Sequence, residues 1–157
     1  MKRIIIIGGG FAGLKLARTL KNTGDEIWLI DKHNFHQFQP LFYQVATSGL
    51  EASSISFPLR KLFQSNKNIH LRVTEVTKVN VSANSITTPL GEIKYDKLII
   101  ATGATTNFFG NTAIEKNAIP MKSVNEALYL RNTLLQNLED ALSATDEERQ
   151  ALLNIVV

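Results

Sequence analysis

Cysteine is absent from this 157-residue chain, which excludes a disulfide scaffold, a thiolate metal site and a cysteine nucleophile. No repeat, low-complexity tract or strong compositional bias is present. With 44% hydrophobic and 20% charged residues, the chain sits near the globular mean, away from disordered, collagen-like and coiled-coil sequences. No apolar stretch approaches the roughly 20 residues of a membrane span. Met1-Lys2-Arg3 followed by four isoleucines opens like a signal peptide. Three glycines, Lys15 and Arg18 then interrupt it, and no small-residue cleavage site follows. The expected location is cytoplasmic. No Lys/Arg cluster with interleaved aromatics occurs, so no nucleic-acid partner is expected.

The charge is unevenly spread. Residues 1–80 hold 11 basic against 5 acidic side chains, and residues 81–157 hold 6 against 9. A mild positive bias in the first half suits an anionic ligand.

The β-branched run Arg3–Ile7 reads as a strand buried on both faces. Gly8-Gly9-Gly10 ends it. From Phe11 to Leu20 the apolar residues Ala12, Leu16, Ala17 and Leu20 recur at helical spacing, and Gly24 is the expected left-handed residue after the helix. A second buried strand, 27–30, ends at Asp31. Residues 33–40 read as loop, 41–47 as a short helix after Pro40, and 58–64 as another with Pro58 in its first turn. Strands are expected at Ile69–Val73, 75–81, Ser85–Thr88 and 92–95, the last three as an antiparallel meander with turns at Ala83-Asn84 and Leu90-Gly91. A buried strand at 97–101 closes in Thr102-Gly103. Ser123 with Glu126 three residues on is a capping box, opening a helix striped by Ala127, Leu130, Leu134, Leu138 and Ala141. A further helix is expected at Asp146–Leu153, and residues 154–157 read as the opening of another buried strand, as if the chain were a piece of a longer one.

Gly8-x-Gly10-x-x-Gly13 stands after a strand and opens a helix, where a dinucleotide fingerprint belongs. Gly8 permits the tight turn, Gly10 lets backbone approach a pyrophosphate, and Gly13 allows close helix–strand packing. The first N–H groups of the helix and its positive dipole end then face the phosphates. Asp31, 18 residues beyond Gly13, can accept hydrogen bonds from ribose hydroxyls, and its charge disfavours a phosphate on that ribose. Read structurally, it is a loop Asp capping a turn. His33 and His36 invite a proton-transfer role, imidazole being the side chain suited to it near neutral pH, but in a polar loop they read first as solvated or bonded to backbone. Phe38, Phe42 and Tyr43 read first as core. No residue is assigned a catalytic role, and no metal site is expected.

Together, the glycine fingerprint, the acidic end of strand two, the meander and the strand closing in Ala101-Thr102-Gly103 resemble the two-dinucleotide-binding flavoproteins, over most of residues 1–103. The segment Asn34-Phe35-His36-Gln37-Phe38-Gln39-Pro40-Leu41-Phe42-Tyr43-Gln44-Val45-Ala46-Thr47 is similar to the loop and helix of type II NADH:quinone oxidoreductases. Residues 44–49 lack the redox cysteine pair of the disulfide reductases. Ferredoxin reductases and apoptosis-inducing-factor-like oxidoreductases remain as alternatives, as does a free-standing nucleotide-binding module without redox chemistry.

The resemblance implies an α/β, Rossmann-like FAD-binding domain: a parallel sheet with a glycine-loop βαβ unit plus an antiparallel meander, incomplete at its C-terminus. Residues 1–122 would form this domain, 123–153 a helical connector and 154–157 the start of an NADH-binding domain. It implies that FAD is held by Gly8, Gly10, Phe11, Ala12 and Gly13 at the pyrophosphate and by Asp31 and Lys32 at the ribose. Val76 would lie at the adenine, Ala101, Thr102 and Gly103 along the cofactor, and Gln39 and Pro40 toward the flavin. NADH and quinone would be substrates of the full-length enzyme, which is expected to attach to the cytoplasmic face of a membrane through a later region. The 157 residues alone are expected to be inactive, to hold FAD weakly and to self-associate.

Overall fold

The structure is a computed structural model that describes residues 1–156. Its strands are β1 Arg3–Ile7, β2 Glu26–Asp31, β3 Phe35–Gln37, β4 Ser56–Pro58, β5 Ile69–Val73, β6 Lys78–Asn80, β7 Ser85–Thr88, β8 Gly91–Lys94 and β9 Lys97–Ile100. Its α-helices are α1 Phe11–Leu20, α2 Phe42–Ala46, α3 Leu59–Phe63, α4 Thr112–Asn117, α5 Val124–Ser143 and α6 Asp146–Leu153. The chain forms two compact units interleaved in sequence, one of residues 1–37 and 56–104, the other of 38–55 and 105–157.

The first unit is built on a four-stranded parallel sheet in the order β5-β2-β1-β9. β1 is flanked on both sides, with Ile7 opposite Ile30 on β2 and Ile100 on β9. That explains its unbroken isoleucine run, since a central parallel strand has no solvent face. Ile4 and Ile6 enter one apolar cluster with Leu14, Ala17, Leu59 and Phe63, while Ile5 and Ile7 enter another with Ile30 and Ile86. The meander β6-β7-β8 pairs antiparallel, with Ile86 on the second cluster. Asn84 takes the left-handed φ of 48° in its first turn.

Several expectations need correction. α1 buries Gly13, Leu14 and Ala17 while Ala12 is exposed, because the helix rests its Gly13 side on β1. The residue after α1, Lys21, is right-handed, and Gly24 is not among the positive-φ glycines. The expected loop 33–40 contains β3, which pairs antiparallel with β4. Pro58 precedes α3 as its cap residue instead of entering the first turn. The strand expected at 75–81 shrinks to β6, since residues 74–77 carry the chain from the parallel sheet to the meander, with Val76 packed on the second cluster.

The second unit is helical. Phe42, Val45 and Ala46 of α2 pack with Ile55 and with Val124 and Ala127 of α5. Phe42 is core, as its sequence context suggests, and Tyr43 is half-exposed. Of the expected α5 stripe, Ala127 and Ala141 are buried but Leu138 is exposed. The capping box at Ser123 is half-formed: Ser123 Oγ accepts from Glu126 N–H at 3.2 Å, but the Glu126 carboxylate accepts from Lys122 N–H at 2.6 Å. A complete box opens α6 at Thr145 and Glu148. Residues 154–156 form no strand, and Val157 of the expected 154–157 strand lies outside the described residues.

Candidate nucleotide-binding site

The strand order β5-β2-β1-β9 reverses direction between β1 and β9. In open parallel sheets the crevice beyond the carboxyl ends of the strands at such a switch is where ligands bind. Parallel register carries Gly8, Asp31, the 74–76 segment and Ala101 to that same edge, because Ile7 stands opposite Ile30 and Ile100, and Asp31 opposite Val73.

The glycine turn is fixed by backbone approach. Gly8 has a φ of 108°, a left-handed conformation that disfavours a side chain. A Cβ there would also overlap the Ala101 carbonyl group. Gly8 N–H donates to Ile30 O at 2.8 Å, and Ala101 N–H to Ile7 O at 2.8 Å. A Cβ on Gly13 would overlap the Gly8 carbonyl oxygen and approach Ile6 Cγ2 at 3.3 Å. At Gly10, by contrast, a Cβ would meet nothing within 4 Å. The middle glycine therefore leaves open space beside the first turn of α1, while the outer two close the packing.

Gly10 caps α1 with extended backbone and no side-chain acceptor, and the first turn of α1 carries no acidic residue. A helix start of this kind attracts an anion through its N–H groups and dipole.

Asp31 serves the turn as well as facing the edge. Its Oδ2 accepts the Gly9 N–H at 2.5 Å and its Oδ1 the His33 N–H at 2.7 Å. The turn-capping reading of this residue is thus the one observed. Two oxygens with about four acceptor sites still leave one each for a ribose diol.

Gly9 escaped the sequence argument, and His36 is bonded to backbone, one of the two readings its sequence context gave. Gly9 fills an unassigned position of the fingerprint, yet it is buried, donates to Asp31 and has Leu59 Cδ1 2.9 Å from where a Cβ would stand. His36 Nδ1 lies 3.1 Å from Gly9 O. The only sequence signal for Gly9 was its place in a run of three consecutive glycines; the partner of His36 lies 27 residues away in sequence.

Lys32 is exposed beside Asp31, and Thr102 and Gly103 are exposed beyond β9. Phe11 and Ala12 are exposed at the start of α1. Gln39 belongs to the second unit, where its Nε2 donates to Lys122 O at 3.4 Å. An open pocket of about 390 Å³ lies at the opposite, amino-terminal end of the strands, lined by Lys2, Arg3, Glu26, Asn84 and others. Two of its carboxylates are engaged within the protein, Glu26 by Arg3 Nε at 2.7 Å and Asp96 by the Arg3 backbone N–H at 2.6 Å.

The glycine turn, the acid ending β2 and the switch-point crevice define a dinucleotide-binding α/β protein. The chain belongs to the pyridine nucleotide-disulphide oxidoreductase family, whose model matches residues 2–155. It is 39% identical over 160 residues to the type II NADH:quinone oxidoreductase NdhA of Mycobacterium tuberculosis, an alignment covering 99% of this chain and 34% of that protein. The fold matches NDH2 of Plasmodium falciparum in complex with NADH, with a TM-score of 0.83 and 26% identity over 94% of this chain and 32% of that one. It also matches the sulfide:quinone oxidoreductase of Aquifex aeolicus, with a TM-score of 0.81 and 30% identity over 89% and 33%. The chain thus spans about a third of the length of the relatives it matches.

Proposed function

We propose that residues 1–104 bind the ADP portion of FAD and that the chain contributes this site to an NADH:quinone oxidoreductase. The observation that carries the proposal is the union, at one sheet edge, of an uncapped helix start, open space at Gly10 and the Asp31 carboxylate. The names of the relatives supply the redox partners, NADH and quinone.

Each residue has a physical task. Gly10 leaves room for the pyrophosphate, and the N–H groups of Phe11, Ala12 and Gly13 with the α1 dipole oppose its charge. Asp31 takes the ribose hydroxyls with its remaining acceptor sites, with Lys32 alongside. The 76 segment borders the adenine, and Ala101, Thr102 and Gly103 run along the cofactor. Bound FAD would supply the two-electron chemistry between NADH and quinone, and the protein would position it. At the membrane, the full-length enzyme would work as a peripheral protein. No helix among the described residues is long and apolar enough to cross a membrane.

Flavin fluorescence titration of the purified chain, with absorption spectra and mass spectrometry of any released ligand, tests the site. Saturable quenching by FAD, competed by ADP and weakened about tenfold by Asp31→Ala, is expected from the loss of charge-assisted hydrogen bonds. Absence of saturable binding of both FAD and ADP would overturn the proposal.

A further inference from the structure

Two consecutive peptides form the floor of the glycine turn, and each is held by a residue remote in sequence. The Gly8–Gly9 peptide has its N–H on Asp31 and its carbonyl against Gly13. The Gly9–Gly10 peptide has its carbonyl on His36 Nδ1, at 3.1 Å. A carbonyl only accepts, so Nδ1 carries the proton of this bond, and the bond selects the tautomer of the ring. No peptide among the described residues is cis, and in a trans peptide the C=O and N–H point in opposite directions. Holding the Gly9 carbonyl on His36 therefore turns the Gly10 N–H away from His36, at the residue beside which open space lies.

The imidazole is itself held. Its ring meets the Phe11 ring edge-on, with centroids 5.2 Å apart and planes at 80°. Its backbone is fixed in β3, with His36 opposite Phe57 on β4. A short strand pair thus delivers a rigid N–H donor to a turn that begins 28 residues earlier in sequence.

We propose that His36 is a positioning residue of the nucleotide site, which fixes the Gly9–Gly10 peptide so that the Gly10 N–H is aimed at the ligand's pyrophosphate. This rests on the dinucleotide reading and adds to it a residue outside the glycine fingerprint.

The test uses FAD as the probe and three variants of the whole chain. His36→Asn keeps an N–H donor at about the reach of Nδ1, His36→Gln moves the donor outward, and His36→Leu removes it. Long-range proton–nitrogen NMR of the free protein, above the imidazole titration range, should show a protonated Nδ1 at His36. His36→Leu should raise the FAD dissociation constant about tenfold and His36→Gln nearly as much, while His36→Asn stays within about threefold, as expected of one positioned hydrogen bond. Melting temperatures of the ligand-free variants are read alongside, because a purely structural role would make affinity follow stability across all three. An unprotonated Nδ1, or FAD affinity indifferent to His36→Leu and His36→Gln, overturns the inference alone. Failure of the unsubstituted chain to bind both FAD and ADP overturns the nucleotide reading and this inference with it.

Discussion

At the residue scale, the three fingerprint glycines divide into two kinds. Gly8 and Gly13 are required by the fold, since a Cβ at either would overlap backbone, and Gly8 also has positive φ. Gly10 is required by nothing among the described residues. Gly10→Val should therefore leave the melting temperature within a few degrees of the parent, costing about 1 kcal/mol or less, while abolishing FAD binding by filling the pyrophosphate space. Gly8→Val should cost about 3 kcal/mol or more through backbone strain and overlap. Thermal denaturation and fluorescence titration of the two variants separate the effects; a Gly10→Val protein that still binds FAD normally contradicts the ligand placement. Asp31→Asn sets one amide N–H against a backbone N–H, Gly9's or His33's. It should cost about 2 kcal/mol even without ligand, read by urea unfolding.

At the scale of the elements, a contact between β1 and β2 and a helix cap make predictions. Glu26 at the start of β2 meets Arg3 of β1 at 2.7 Å. Burial pushes the Glu26 carboxyl up, but the Trp28 indole and the Arg3 guanidinium, with His70 nearby, hold it below its ordinary value of 4.5. A carboxyl lowered in the folded state binds protons more readily when unfolded, so its stabilisation is present above pH 4.5 and is lost as pH falls through the folded value. The melting temperature of the parent should fall more steeply below pH 4.5 than that of Glu26→Gln; parallel curves would remove the carboxylate from the account. In the helical unit, Ser123→Ala removes the acceptor for Glu126 N–H and should cost about 1 kcal/mol of stability, measured by chemical denaturation. The elements most legible in sequence are those with local causes. The isoleucine run made β1, the glycine fingerprint made α1, and Asn84 and Gly91 marked the meander turns. What stayed hidden depends on distant partners. β3 has no alternation of its own and exists by pairing with β4 across 18 intervening residues. Asp31 reads in sequence as a ribose ligand or a turn cap, and the structure shows the cap; that the N–H it holds is Gly9's, and that His36 bonds the same residue's carbonyl, are tertiary contacts that no local pattern encodes.

At the scale of the whole molecule, the surface is less well finished than the composition suggests. β9 is an outer strand of the parallel sheet, and Ile100 at its end is 64% exposed. In the helical unit Leu142 is 79% exposed and Phe109 90% exposed. An outer strand offers unpaired backbone groups to a second chain, and exposed apolar side chains add a driving force that salt does not screen. The isolated chain should therefore self-associate reversibly, with a light-scattering mass above that of one chain that rises with concentration. Because burial of apolar surface drives it, sulfate should strengthen the association, whereas one held by surface ion pairs would weaken with added salt. Ile100→Lys places at the strand edge the charge that natural edge strands use against pairing, and Leu142→Glu breaks the helical patch. Recovery of one-chain mass by the first substitution assigns the contact to the sheet edge, and by the second to α5. A mass independent of concentration in the unsubstituted chain would show that these exposed groups do not drive association.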